Sequence, residues 1–379
     1  MTTIIINTIN WSSWPDFAGS TWVPMQYLLG FQKLGIEAYW VDHLNKVDPH
    51  KCIHSPEYLI HKFDGTAKEF GFQDRYCILY NGDQRCFGLS KKEFEQLATE
   101  TDLLVSISGN GLRRDSPLLH IPRRAYIDVD PGFTQIWAHQ VDMGLDQHNF
   151  FFTVGQNVGG PGFRIPTMDI KWQPIFPPVV LEFWPLQNDE NCQRFSTVGD
   201  WWGQQMTEFE GIFYGGKREE FLLFLRVPLE SKQRIEVALT LSQQDHEQLG
   251  LLNENNWIVL DPYLYAGDPL SYREFIQFSR AEFSVAKSGY VKSNSGWISD
   301  RTACYLASGK PVLIQSTGLE HYLPPGEGLL TFKNMEEAVL GFETINDDYL
   351  KHSQAARKIA EQFFDSSRVL SSLLEHVGM

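Results

Sequence analysis

The chain opens on a short apolar run of β-branched residues at positions 3–6, the pattern of a strand buried on both faces of a parallel sheet. A polar and aromatic loop with Pro15, Asp16 and Gly19 follows. A helical stretch then covers residues 21–34, with Pro24 in its first turn. Gly35 ends it, and residues 37–41 are the next strand. Strand, helix and strand in this order predict a right-handed crossover and therefore a parallel sheet. The rhythm continues with strands at 76–80, 103–106 and 124–129, and with a helix that Ser90 and Glu93 open as a capping box. Pro177-Pro178 and Trp184-Pro185 then interrupt it, and the polar stretch 187–193 reads as a linker.

Beyond the interruption the alternation resumes. Residues 233–249 are expected to be helical, with Ile235, Leu239 and Leu249 apolar. Strands are expected at 257–260, 282–286, 311–314 and 329–332, and helices at about 271–279 and 300–308. Asn334 caps another helix, and helices over 355–364 and 369–376 close the chain. The expected class is α/β, with two Rossmann-like domains facing each other across a cleft. Residues 1–185 form the first domain and 186–360 the second. Residues 361–379 form a closing helix that packs back toward the first. Ligands in such sheets bind at the carboxyl ends of the strands.

Composition narrows the function. A length of 379 residues exceeds what one core usually holds, in keeping with two domains. The 47 acidic residues against 32 basic give a formal charge of −15, which argues against a nucleic-acid or anionic-membrane partner. No apolar run approaches the ~20 residues of a membrane span, and the N-terminus shows no basic leader region. Five cysteines without a CxxC pair fit a reducing compartment, so a cytoplasmic location is expected.

The most informative segment is 284–314, SVAKSGYVKSNSGWISDRTACYLASGKPVLI. A strand ends at Lys287, a loop of Ser, Gly and Asn follows, and Ser299 caps a helix starting at Asp300. A Gly/Ser loop running into a helix start presents free N–H groups and the positive end of a dipole, with Lys287, Lys292 and Arg301 around it. Solvated charges on an ordinary loop are the alternative. The segment ACYLASGKPVL resembles the C-terminal nucleotide-sugar site of GT-B glycosyltransferases, as does the later STGLEHYLPPGEGLLTFKNMEEAV. Two departures stand out. The Glu-x7-Glu pair of many retaining members is replaced by Gly296 and Cys304, and the plant-type HCGWNS box is echoed only by SGWIS at 295–299.

The resemblance implies a donor diphosphate and sugar held by Lys217, Lys287, Ser295, Gly296 and Arg301. It also implies that Asp300 holds a sugar or ribose hydroxyl or acts on the sugar face. Lys217 enters because GT-B enzymes commonly carry a basic residue that reaches the donor phosphates after the first strand of the C-terminal domain, and Gly215-Gly216 would let the backbone approach closely; a surface Lys at a helix start is the alternative. Asp16 stands where many inverting members hold a general base, beside Trp11, Trp14, Phe17 and Trp22. With Gly19, Asp128 and Asp130 it would line the acceptor cleft. Asp128-Val129-Asp130 is a DxD string, which binds a metal in the other large glycosyltransferase class. Here it ends a first-domain strand and is read as a polar strand end, not a metal site. The cluster from His50 to His54 lacks a fourth metal ligand, and NVGGPG at 157–162 reads as a mobile loop. The expected function is metal-independent transfer of a sugar from a nucleotide-diphosphate sugar, a UDP-sugar first among them, to a hydroxyl-bearing small-molecule or glycan acceptor, with no cofactor. A sugar-nucleotide 2-epimerase and a non-catalytic sugar-nucleotide-binding or scaffold protein are the alternatives.

Overall fold

A computed structural model describes residues 2–9, 11–13, 16, 18–45, 54–82, 85–108, 112–187, 189, 191–202, 206–241 and 245–379. The first sheet holds β1 (Thr3–Ile9), β2 (Glu37–Leu44), β3 (Tyr76–Tyr80), β4 (Arg85–Gly88), β5 (Leu103–Ile107), β6 (Arg123–Asp128), β7 (Phe150–Thr153) and β8 (Gln173–Pro174). Their order is β4-β3-β2-β1-β5-β6-β7-β8. Every pair is parallel except the β3–β4 hairpin. Ile4, Ile5 and Ile6 are fully buried, as a strand covered by helices on both faces requires.

The second half begins with β9 (Phe195–Asp200), followed by a two-stranded ribbon, β10 (Thr207–Phe209) and β11 (Ile212–Tyr214). The strands β12 (Ile235–Thr240), β13 (Ile258–Leu260), β14 (Ala281–Ser284), β15 (Val312–Gln315) and β16 (Leu329–Phe332) complete an all-parallel sheet with β9. Its order, β13-β12-β9-β14-β15-β16, is the doubly wound arrangement, with the reversal of strand order between β9 and β14.

Two sequence expectations fail here. The expected helix over 233–249 is the strand β12, followed by a helix at His246–Glu254. Ile235 and Leu239 suit a helix face, but every residue from Ile235 to Leu239 is buried and pairs in parallel with β9, as in a central strand covered on both faces. The expected loop after Lys287 contains a short helix, Ser288–Ser293, which Asn294 ends in the left-handed region at φ 53°. The strand β9 was also not anticipated: its small and polar residues, FSTVGD, give no apolar signal.

The two halves are tied together. Helix Ala18–Lys33 of the first domain packs against the last helix, Ser366–His376, so closely that a Cβ on Gly30 would meet Leu370 Cδ1 at 2.5 Å. Arg123 Nε also donates to the carbonyl of Val377 at 3.0 Å. The chain returns to the first domain through a single π-turn, Ala360–Phe364. There Val179 N donates to Phe364 O at 2.7 Å and Ser366 N donates to Val179 O at 2.9 Å. One apolar cluster runs from Ile4 through Trp22 and Trp184 to Ala303 and Val312, so the core is continuous across the interface. The NVGGPG segment is part of that interface and not a free loop. Asn157 Nδ2 donates to the carbonyls of Asn294 and Gly318, both at 2.9 Å.

Candidate active site between the two sheets

The site starts from a splay between two strands. β9 pairs with β12 over all six of its residues, but with β14 only at Phe195 and Ser196. Beyond that point the guanidinium of Arg301 fills the gap. Its Nε donates to Glu282 Oε1 at 2.8 Å, Nη1 to the carbonyl of Val198 at 2.9 Å and Nη2 to Ser284 Oγ at 2.6 Å. Glu282 is fully buried and balances the guanidinium charge. Arg301 therefore holds the crevice open and in register, and its charge is engaged before any ligand arrives.

Above this brace lies a cavity of about 360 Å³ between the domains. The second domain contributes Gly199, Asp200, Lys217, Lys287, Ser299 and Asp300. The first contributes Asp16, Gly19, Tyr27 and Asp130, among apolar walls such as Val23, Val129 and Pro178. The cavity sits at the carboxyl ends of β6, β9 and β12, where a doubly wound sheet places its ligand.

Lys217 begins a helix, Lys217–Leu223, directly after Gly215-Gly216. A Cβ on Gly216 would stand 2.2 Å from the carbonyl of Trp202, so the turn tolerates no side chain there. The turn aims Lys217 inward. Only 6% of the residue is exposed, and its Nζ has no hydrogen-bond partner. Burial holds the ammonium well below the usual lysine pKa. Arg301 and Lys287 press it further down, and Glu282 and Asp200 oppose them. An unpaired buried cation beside two others is a site prepared for an anion.

Lys287 is already partnered. Its Nζ donates to Asp130 Oδ1 at 3.0 Å, and the Tyr290 hydroxyl donates to the same oxygen. Since Asp130 belongs to the first domain, this contact bridges the cavity. Asp300 is the first residue of helix Asp300–Ala307, whose N-cap Ser299 Oγ accepts from Arg301 N at 3.2 Å. Burial raises the Asp300 carboxyl above the usual carboxylate range, with Arg301 opposing the rise. Asp16 Oδ2 lies 3.0 Å from His54 Nε2, and the His54 ring stacks on Tyr58 at 4.5 Å. Gly19 lies against the ring of Tyr272.

The structure gathers Asp16, Gly19, Asp130, Lys217, Lys287, Asp300 and Arg301 at one cavity, and it places three expected residues elsewhere. Asp128 is fully buried beneath the cavity, and its carboxylate is saturated. It accepts from Asp130 N (2.9 Å), Thr134 Oγ1 (2.7 Å), Gln135 Nε2 (3.0 Å) and Thr153 Oγ1 (2.8 Å). Burial pushes its pKa up to about 6, against the pull of those hydrogen bonds. Ser295 and Gly296 pair with the first-domain backbone, where Asn157 N donates to Ser295 O and Gln156 N to Gly296 O. They fasten the domains and do not line the cavity. Lys292 also points away, donating to the carbonyl of Phe213 at 2.8 Å. Of the aromatic loop, Trp11 lines the cavity and Trp22 is core; Trp14 and Phe17 lie outside the described residues. So does most of the His50–His54 cluster, apart from His54 itself. Sequence reasoning missed Tyr27, Asp200 and Tyr272, which carry no motif.

Residues 261–373 match the family model described as glycosyl transferase-like. At the level of sequence alone, no curated protein matches the chain. Solved structures match along its whole length. An alpha-glucosyltransferase in complex with UDP is 11% identical with a TM-score of 0.65, with both chains covered completely. HepE from Anabaena in complex with UDP is 12% identical with a TM-score of 0.55, and sucrose-phosphate synthase from Thermosynechococcus elongatus is 10% identical with a TM-score of 0.54. Each of these covers 100% of this chain and 99% of its own. The fold is GT-B. Within that fold, the glycosyl transferase-like segment covers most of the second domain. No described helix is long and apolar enough to cross a membrane.

Proposed function

We propose that the protein transfers a sugar from a nucleotide-diphosphate sugar, with UDP as the nucleotide, to a hydroxyl group of a small-molecule or glycan acceptor, without a divalent metal or other cofactor. The observation that carries this reading is Lys217, a buried ammonium with no partner, facing an inter-domain cavity beside Lys287 and the start of the Asp300 helix. A diphosphate leaving group develops negative charge as the sugar departs. A preorganised cation and a helix N-terminus stabilise it without rearrangement. Arg301 acts one layer behind, fixing the strand ends on which these groups stand. UDP in the similar structures supports the choice of nucleotide.

On the opposite wall, Asp16 is the candidate base for the acceptor hydroxyl, and the imidazole of His54 on its Oδ2 orients it. The DxD string has no free carboxylate to offer a metal: Asp128 is saturated, and Asp130 accepts from Lys287 and Tyr290. Two measurements test the reading. UDP at 100 times its Kd should stabilise the protein by about 2.7 kcal/mol in a thermal shift. Sugar transfer or donor hydrolysis should survive excess EDTA. Activity lost in EDTA and restored by Mn²⁺ or Mg²⁺ would overturn metal independence, and an isomerised donor without transfer would overturn the transferase reading.

A further inference from the structure

Among the described residues, only two side chains that line the cavity bury a polar atom without a hydrogen-bond partner: Lys217 at its Nζ and Tyr27 at its hydroxyl. Buried polar groups in folded proteins are nearly always satisfied, and one left unpaired in a cavity wall can be completed by a ligand in that cavity. Lys217 stands on the charged second-domain wall. Tyr27 stands on the opposite wall, in the middle of helix Ala18–Lys33, and is 1% exposed. The two atoms differ in what they can complete. An ammonium takes an anion, whereas a neutral phenol donates one hydrogen bond and accepts another, which suits a hydroxyl group.

Tyr27 and Asp300 line the same cavity from its two walls, and the Asp300 carboxylate adds to the effect of burial in raising the Tyr27 pKa. Asp300 begins the helix whose N-terminus faces the cavity, so the group between Tyr27 and Asp300 lies next to the diphosphate position. In a nucleotide-diphosphate sugar that group is the sugar. The other polar side chain that this part of the first-domain helix sends to the cavity is already engaged. Gln26 accepts from Val180 N at 2.7 Å and points its amide nitrogen at Cys304 Sγ.

Resting on the donor reading above, we infer that Tyr27 and Asp300 together recognise a hydroxyl of the donor sugar, with Tyr27 a specificity-determining residue supplied by the domain opposite the nucleotide. A site built to hydrogen-bond a hydroxyl discriminates strongly against ligands that lack it, because its own polar groups are then left unpaired.

The test is calorimetry of wild-type protein, Tyr27→Phe and Asp300→Asn with UDP, UDP-glucose, UDP-galactose, UDP-N-acetylglucosamine and GDP-mannose, each nucleotide sugar being compared with its free nucleotide. In the wild type, the best nucleotide sugar should bind more tightly than the nucleotide alone. Tyr27→Phe should cut that advantage about tenfold while leaving nucleotide affinity within twofold. Asp300→Asn should reduce the same advantage. Tyr27→Phe removes a hydroxyl that bonds to nothing, so the unliganded variant should melt no lower than wild type. A lower melting temperature, an equal loss for nucleotide and nucleotide sugar, or no loss for either would overturn the role of Tyr27. If no nucleotide or nucleotide sugar binds the wild type, the donor reading itself fails, and this inference with it.

Discussion

The two walls of the cavity treat buried charge in opposite ways. In the first domain, Asp42 near the end of β2 and Asp128 at the end of β6 are both fully buried and both saturated. Asp42 accepts from Thr8 Oγ1 (2.7 Å), Trp11 N (3.2 Å), Ser12 N (3.0 Å) and Ser12 Oγ (2.5 Å), and so ties down the loop after β1. Asp128 does the same for the turn after β6. In the second domain, Lys217 occupies an equivalent strand-end level with no hydrogen-bond partner. Position and burial are alike, so the partner count separates the roles. Here the satisfied charges shape loops, and the unsatisfied one in the cavity wall is placed to meet a ligand.

The comparison breaks most visibly at Asp128. Asp128→Ala orphans four donors at once and should cost at least about 3 kcal/mol in denaturant unfolding. A loss below about 1 kcal/mol would mean the network is not what holds the turn. Lys217→Met should do the reverse. Removing an unpaired buried ammonium should leave the unliganded melting temperature unchanged or higher, while UDP affinity falls about tenfold to a hundredfold in calorimetry. A lower melting temperature with unchanged affinity would make Lys217 structural.

The smallest effect is a pH dependence. The native Lys217 loses its proton at lower pH than the ordinary lysine of the unfolded chain, whose pKa is 10.5. Between the two values the unfolded chain binds more protons, so stability should rise with pH across that window. Lys217→Met should flatten the rise, measured as unfolding free energy against pH. An identical slope in the variant would assign the effect to other groups.

How far these roles are legible in sequence depends on the kind of information involved. The βαβ rhythm, the capping box at Ser90 and the Ser299 cap rest on local residue chemistry, and they appear in the structure. Gly215-Gly216-Lys217 is legible because only glycine allows that turn. The spacing Ile235–Leu239 misleads, since it suits a helix face as well as a strand, and only the pairing with β9 and β13 decides. Asp128 and Asp130 look alike in a DxD string. Their difference lies in Thr153, 25 residues away, and in Lys287, across the cavity. Tyr27 is one apolar-face aromatic among many until the fold sets it opposite Asp300.

The chain passes between the domains twice, before Trp184 and again at Phe364–Ser366, and the two passages are hydrogen-bonded to each other at Val179. Because both crossings meet at Val179, one strand-like pairing holds the two connections side by side, and a change there would disturb both at once. The relative placement of the two cavity walls is thus fixed by a pair of backbone bonds far along the chain from Asp16, Lys217 and Asp300 on those walls.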